Sequence, residues 1–180
     1  VKANCAASVF IGISLDGFIA RENGELDWLT ESAAALGDTG YDDFMASVDT
    51  LVIGRNTYET IQAFGEWPYA GKRVLVLSST VRAVTAPDAT VHATLDDIVE
   101  VLNRDGARRA YVDGGATIQS FLRAGLLTDL TITHAPVLLG SGVPLFGPLE
   151  RDVQLTLTGM RELGAGFTQT TYDIVRGISE

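Results

Sequence analysis

The sequence predicts an α/β fold built on a mixed, mostly parallel sheet with helices on both faces. Two observations predict it. From residue 5 to about 125, short apolar runs alternate with stretches of helical spacing; after Gly125 the apolar runs follow one another with no helix between them. Alternation implies parallel strands joined by crossover helices, and the late uninterrupted strands imply an antiparallel edge. A length of 180 residues and a hydrophobic fraction of 46% suit one domain able to bury a sizeable core.

Taken in order, Cys5–Ser14 (CAASVFIGIS) reads as a buried strand, and residues 15–30 as a loop rich in glycine and acids that ends near Trp28. A helix starting at Thr30 or Ser32 runs through the alanines and is interrupted by Gly37 and Gly40. Tyr41–Val48 is a second helical stretch, leading into the strand Thr50–Ile53. A helix over 56–63 follows, with Asn56 as its N-cap and Glu59 in the capping-box position. Arg73–Leu77 is an apolar strand stopped by Ser78-Ser79-Thr80, and a short strand lies near Val91. The helix from Leu95 to about Asn103 sets Ile98, Val99 and Leu102 at helical spacing. Arg109–Val112 is a strand, turned by Asp113-Gly114-Gly115 into a helix that carries Ile118, Phe121 and Leu122 and stops at Gly125. Leu127–Pro136, Val153–Arg161 and Phe167–Val175 complete the sheet.

Composition excludes several classes. A formal charge of −10 argues against a nucleic-acid partner, which requires a basic footprint. No apolar run approaches the roughly 18 residues of a membrane span, so no membrane partner is expected. The opening residues lack a basic stretch followed by an apolar one and a cleavage site, and the single cysteine, Cys5, fits a reducing compartment, so a cytoplasmic location is expected. Cys5, His92 and His134 are too few and scattered for a metal site, and none is expected. Charge is unevenly spread: residues 1–50 carry nine acids and two bases, whereas residues 51–82 carry four bases and two acids. A locally basic segment in an acidic chain suits a small anionic ligand.

Three strand exits carry the chemistry for such a ligand: Gly54-Arg55-Asn56-Thr57, Ser78-Ser79-Thr80 and Gly114-Gly115-Ala116-Thr117. Glycines let a phosphate approach the backbone, helix N-termini present unpaired N–H groups, hydroxyls donate, and arginine offers a planar fork. Ligands of such sheets bind outside the carboxyl ends of parallel strands, and a dinucleotide would use all three exits. The first strand is not followed by Gly-x-Gly-x-x-Gly, so the ordinary dinucleotide fingerprint is absent.

Ser14-Leu15-Asp16-Gly17-Phe18-Ile19-Ala20, Gly54-Arg55-Asn56-Thr57-Tyr58-Glu59, Leu77-Ser78-Ser79 and Val112-Asp113-Gly114-Gly115 occur in that order, followed by Ala135-Pro136-Val137-Leu138-Leu139-Gly140-Ser141-Gly142 and Leu145-Phe146-Gly147. Over roughly residues 8–175 the chain thereby resembles the dihydrofolate reductase-like superfamily, particularly the C-terminal reductase domain of the bacterial riboflavin-biosynthesis protein RibD. The resemblance implies a three-layer dihydrofolate reductase-like fold in one domain spanning 1–180, NADPH as hydride donor, and a homodimer. It places Arg55, Asn56 and Thr57 at the adenosine-phosphate and pyrophosphate end, with Leu77, Ser78, Ser79 and Thr80 at the 2′-phosphate and adenosine. Gly114, Gly115, Ala116 and Thr117 would cradle the pyrophosphate, and Ile19, Ala20 and Val112 would lie by the nicotinamide. The implied substrate is a small heterocycle such as a phosphoribosylamino-pyrimidine, whose phosphate Arg21, Lys72, Arg73 or Arg151 would meet.

The proton donor is open at this stage. Folate reductases use an acid on the helix after the tryptophan loop; here Asp43, Asp42 or Asp38 would serve, although none falls in register. Asp16 is the alternative carboxylate, and Trp28 would wall the substrate pocket. Dihydrofolate reduction and a non-catalytic NADPH-binding protein are the other readings.

Overall fold

Aliphatic runs without polar alternation become strands covered on both faces. The computed structural model, which describes residues 2–33 and 36–175, shows this for most of the sheet. Strand β1 (Ala6–Ser14) leads to the short β2 (Phe18–Ala20), then to helices α1 (Asp27–Ala33) and α2 (Tyr41–Ser47). There follow β3 (Thr50–Gly54), α3 (Arg55–Ala63), β4 (Arg73–Leu77), β5 (Ala89–His92), α4 (Leu95–Arg104), β6 (Arg109–Asp113) and α5 (Gly115–Arg123). The chain then contributes β7 (Asp129–Ala135), β8 (Val143–Pro144), β9 (Leu155–Gly164) and β10 (Phe167–Ile174).

Eight strands form one sheet in the order β5-β4-β3-β6-β1-β7-β10-β9, parallel except where β10 pairs with β7 and β9. The predicted mixed sheet and its antiparallel C-terminal edge are both present. β2 and β8 form a separate two-stranded ribbon inside a stretch that reads as loop. Strands of three and two residues leave no periodicity to read. The first helix also begins at Asp27 rather than at Thr30 or Ser32, because the amides of Leu29 and Thr30 already bond Leu26 O.

Successive strand residues face opposite sides, which divides the core. Val52 and Val112 pack with Ile98, Ile118 and Phe121 of α4 and α5 on one face. On the other face Leu51, Ile53 and Tyr111 pack with Tyr58 and Ile61 of α3, and Phe10, Tyr41 and Phe44 close that layer. Trp28, Ala135 and Phe167 form a third cluster. A reciprocal capping box starts α4: Thr94 Oγ1 accepts from Asp97 N at 3.1 Å, and Asp97 Oδ2 accepts from Thr94 N at 3.0 Å.

The amino ends of β6, β1 and β7 are tied by one polar cluster. Arg109 donates to Asp129 Oδ1 at 3.1 Å and to Ser8 Oγ at 2.9 Å, while Ser8 Oγ donates to Asp129 Oδ2 at 2.8 Å. Ser8 is fully buried, so removing its acceptor leaves polar groups without partners. Asp129→Ala should lower stability in urea unfolding by about 1–3 kcal/mol. Arg104→Ala, which removes an exposed pair with Asp105, should leave the urea midpoint nearly unchanged.

Candidate functional site

Strands β4, β3 and β6 are neighbours, so the three glycine- and hydroxyl-bearing exits emerge side by side. Gly54 is registered opposite Leu77, and Ile53 opposite Asp113. The chain moves from β3 outward to β4 and β5 and returns through β6 on the other side of β3, which makes β3/β6 a topological switch point, the usual location of a ligand crevice.

Here α3 and α5 start within touching distance of each other. A Cβ at Gly54 would lie 2.8 Å from Thr117 Oγ1, and one at Gly114 would lie 2.5 Å from Thr57 Oγ1. Each helix thus sets a first-turn threonine against the glycine preceding the other. Gly114 also has φ 92, a conformation other residues rarely adopt. Neither helix has a side-chain cap, so first-turn N–H groups remain available to an anion. The expected cap at Asn56 is not formed: the helix begins one residue earlier, and Asn56 Oδ1 instead accepts from Arg55 Nε at 3.3 Å and Nη2 at 3.2 Å.

Arg55 and Ser78 follow the paired residues Gly54 and Leu77, which brings the guanidinium-bearing exit beside the hydroxyl turn. Ser78 Oγ organises that turn by accepting from Val81 N at 3.0 Å and Thr80 N at 3.3 Å, and Ser79 and Thr80 are exposed. Ala116 is exposed, whereas Gly115 and Thr117 are buried. On the other flank, a Cβ at Gly115 would lie 3.1 Å from Ile19 Cδ1 and 3.0 Å from Pro144 O, so the β2–β8 ribbon sits on the start of α5. Ile19 therefore adjoins the cradle and Ala20 is buried beside it. Val112 differs from expectation: its side chain is fully buried in the core under α4 and α5.

The carboxylates divide by environment. Asp16 is exposed, accepts from Ser14 Oγ at 2.6 Å, Gly140 N at 2.7 Å and Leu139 N at 3.1 Å, and is held below the ordinary carboxylate range first by Ser14 and then by those amides. That geometry clamps the β1 exit to the 137–142 loop and suits an ionised group, not a proton donor. Asp42 and Asp43 are exposed on α2, and Asp38 caps its own turn by accepting from Gly40 N at 2.7 Å.

Asp113, present in the motif but given no role from sequence, is the carboxyl on the crevice floor. It retains some accessible surface although protein surrounds it, and burial pushes its pKa up despite a 2.8 Å bond from Gly114 N. Burial, then the charge of Asp113, raise the phenol of Tyr41 in α2, which interacts with Tyr69. Burial likewise raises Tyr69. Only the fold reveals this cluster, because its members come from α2, the loop before β4 and the end of β6. Trp28 is 6% exposed in the third core cluster, and its Nε1 has no hydrogen-bond partner.

Of the basic residues expected at a substrate phosphate, Arg21 is paired in two-point fashion with Asp27 at 2.7 and 2.9 Å. Lys72 donates to Met45 O at 2.8 Å and Val48 O at 2.7 Å, and Arg73 pairs with Asp105 at 3.4 Å; both lie at the amino end of β4, opposite the exits. Arg151 is exposed in the segment before β9.

The helix–helix interlock predicts a specific coupling. Gly54 has φ −82, so alanine fits its backbone and collides only with Thr117. A double-mutant cycle of Gly54→Ala with Thr117→Ala should give a favourable coupling of about 0.5–3 kcal/mol in unfolding free energy. Gly114→Ala should not be rescued by Thr57→Ala, because its positive φ persists.

Comparison with known proteins agrees with this architecture. The family model of the RibD C-terminal domain matches residues 8–169. The uncharacterized protein YwjB of Bacillus subtilis is 33% identical over 159 residues, covering 87% of this chain and 91% of YwjB. A crystal structure of a putative riboflavin biosynthesis protein from Shewanella sp. PV-4 superposes with a TM-score of 0.87 at 42% identity, covering 95% of this chain and 99% of that one. The riboflavin biosynthesis protein RibD of Corynebacterium ammoniagenes is 28% identical over 168 residues; the match takes in 83% of this chain and 48% of that longer protein. With the matched family model spanning nearly all of the sheet and the crevice, the chain belongs to the RibD C-terminal domain family, with its dihydrofolate reductase-like fold.

Proposed function

We propose that this chain is an NADPH-dependent reductase of a small heterocycle, with a phosphoribosylamino-pyrimidine of the riboflavin pathway as the best candidate substrate. The observation that carries the reading is the cradle at β4, β3 and β6, where Gly54 and Gly114 let the uncapped starts of α3 and α5 come into contact at one crevice. The open first turns of α3 and α5 fit a pyrophosphate, and Arg55 with Ser78, Ser79 and Thr80 fits the 2′-phosphate that distinguishes NADPH from NADH. Bound there, NADPH would supply a hydride from its nicotinamide ring.

The chain's own contribution is to orient the reactants, exclude water and hold a proton. Reduction of a C=N or C=O bond takes up one proton as well as the hydride. Burial makes Asp113 keep its proton to higher pH than an exposed aspartate, so it supports proton delivery better than Asp16 or Asp43 does. The exposure of Asp42 and Asp43 weighs against folate reduction, which relies on an acid on that helix. Edge strand β9 presents exposed Leu157 and Met160, which supports pairing of two copies through that face.

Steady-state oxidation of NADPH with the aminopyrimidine and with dihydrofolate, measured side by side, tests the reading; turnover with neither refutes the reductase assignment. Arg55→Ala should weaken NADPH by about 1.5–3 kcal/mol, roughly tenfold to a hundredfold, and leave NADH nearly unchanged.

Asp113→Asn should separate stability from catalysis. Because folding raises this pKa, the ionised form is penalised in the folded protein once the pH exceeds the unfolded value, and that penalty is absent in strong acid. The variant should therefore melt higher at neutral pH, lose that advantage in strong acid, and turn over at least tenfold more slowly.

A further inference from the structure

The β2–β8 ribbon has no turn of its own to hold it together. Its strands have three and two residues and come from segments far apart in the chain, one after β1 and the other after β7. A pair of that length is marginal in water without further support. Here the support converges on one carboxylate. Asp16 stands just before β2, and its Oδ1 and Oδ2 accept from Leu139 N at 3.1 Å and Gly140 N at 2.7 Å, just ahead of β8. Ser14 Oγ donates to Asp16 Oδ1 at 2.6 Å and accepts from Phe18 N, at the start of β2, at 3.0 Å. Backbone bonds from Leu15 N to Val137 O at 2.8 Å and from Leu145 N to Gly17 O at 3.0 Å flank the carboxylate. Among the described residues, the side-chain hydrogen bonds that join the two roots of the ribbon are those of Asp16.

What the ribbon touches gives this clamp a consequence at the crevice. A Cβ at Gly115, the first residue of α5, would lie 3.0 Å from Pro144 O, 3.1 Å from Ile19 Cδ1 and 3.5 Å from Val143 Cγ1, so both strands rest on that helix start. One turn further along α5, Gln119 Nε2 donates to Pro144 O at 3.1 Å. Within the ribbon a Cβ at Gly142 would overlap Ala20 O, which leaves no slack between the strands. Beyond the clamp the two segments part around a cavity of about 320 Å³ lined by Arg21, Glu22, Asn23, Leu139 and Ser141. The ribbon is thus a wall of the crevice at α5, whereas Arg55 and the Ser78–Thr80 turn leave from β3 and β4, on the other flank of β6.

We propose that Asp16 is a positioning residue: it staples the roots of β2 and β8, so that the ribbon stays seated on α5 and holds the nicotinamide half of the cofactor. This rests on the NADPH reading of the crevice, and it gives the motif carboxylate a role that proton transfer does not. The staple needs the ionised form, because both oxygens must accept from N–H groups while Ser14 donates. Those same hydrogen bonds favour that form.

The test compares two ligands by calorimetric titration of the wild-type chain and its variants. NADP⁺ spans the whole crevice, whereas adenosine 2′-monophosphate needs only the end formed by Arg55 and Ser78–Thr80. Asp16→Ala should weaken NADP⁺ by about tenfold or more and leave adenosine 2′-monophosphate within about twofold. Removing a negative charge would by itself favour an anionic ligand, so that loss has to come through the ribbon. Asp16→Asn, which keeps one acceptor oxygen, should lose less. Gly142→Ala, which forces the strands apart with Asp16 intact, should show the same split between the ligands. Hydrogen exchange at the Leu139 and Gly140 amides should be faster in Asp16→Ala than in the wild type, with β6 and α4 unchanged as the check of folding. Equal loss of both ligands, or undiminished NADP⁺ affinity in Asp16→Ala, overturns the proposal. Failure of the wild type to bind either ligand overturns the NADPH reading itself, and with it the role given to Asp16.

Discussion

The contact on which the site depends is the mutual exclusion between two helix starts. Thr57 stands over Gly114, and Thr117 stands over Gly54. These contacts hold α3 and α5 at a separation that neither helix would choose alone. A nine-residue helix is marginal by itself, and tertiary packing must fix its first turn. Both helices bury an apolar face, Tyr58 and Ile61 on one and Ile118, Phe121 and Leu122 on the other, against opposite sides of the sheet. Their N-termini nevertheless converge, because β3 and β6 are adjacent and parallel. Electrostatics adds a second consequence of the same arrangement: two positive helix ends are brought to one crevice, a state that an anionic ligand would relieve.

Around that crevice, four carboxylates within the same stretch of topology have different fates. Asp16 is held ionised by a hydroxyl and two amides, Asp42 and Asp43 face solvent, and Asp113 is pressed toward its neutral form. Residue type alone says nothing about which is which. Desolvation decides one case and hydrogen-bond count the other. A charged clamp on the loops and a reluctant acid on the floor are complementary uses of the same side chain.

This explains what the sequence makes legible. The long strands and α3, α4 and α5 are visible because continuous apolar runs and a three-to-four-residue apolar rhythm are local properties; most limits agree with the structure to within two residues, whereas β9 runs to Gly164 and not to Arg161. The cradle is visible for the same reason, since glycines and hydroxyls directly follow the strands. By contrast, β2 and β8 exist only as partners of each other, and the N-cap is Gly54 instead of Asn56, whose Oδ1 is taken up by Arg55. The importance of Asp113 requires Tyr41 and Tyr69 to arrive from elsewhere.

Lys72 illustrates how far such dependence reaches. Its ammonium is bound by the carbonyls of Met45 and Val48 at the end of α2, a helix of only seven residues with no side-chain cap at its start. A cation at a helix C-terminus anchors the last turn and opposes the negative end of the dipole. Tyr41 is the first residue of that helix, so one seven-residue element carries a contact with Lys72 at one end and this phenol at the other. Phe10 of β1 packs on both Tyr41 and Phe44, with ring centroids 5.6 and 5.0 Å apart, so this short helix is held by the sheet along its face and by Lys72 at its end.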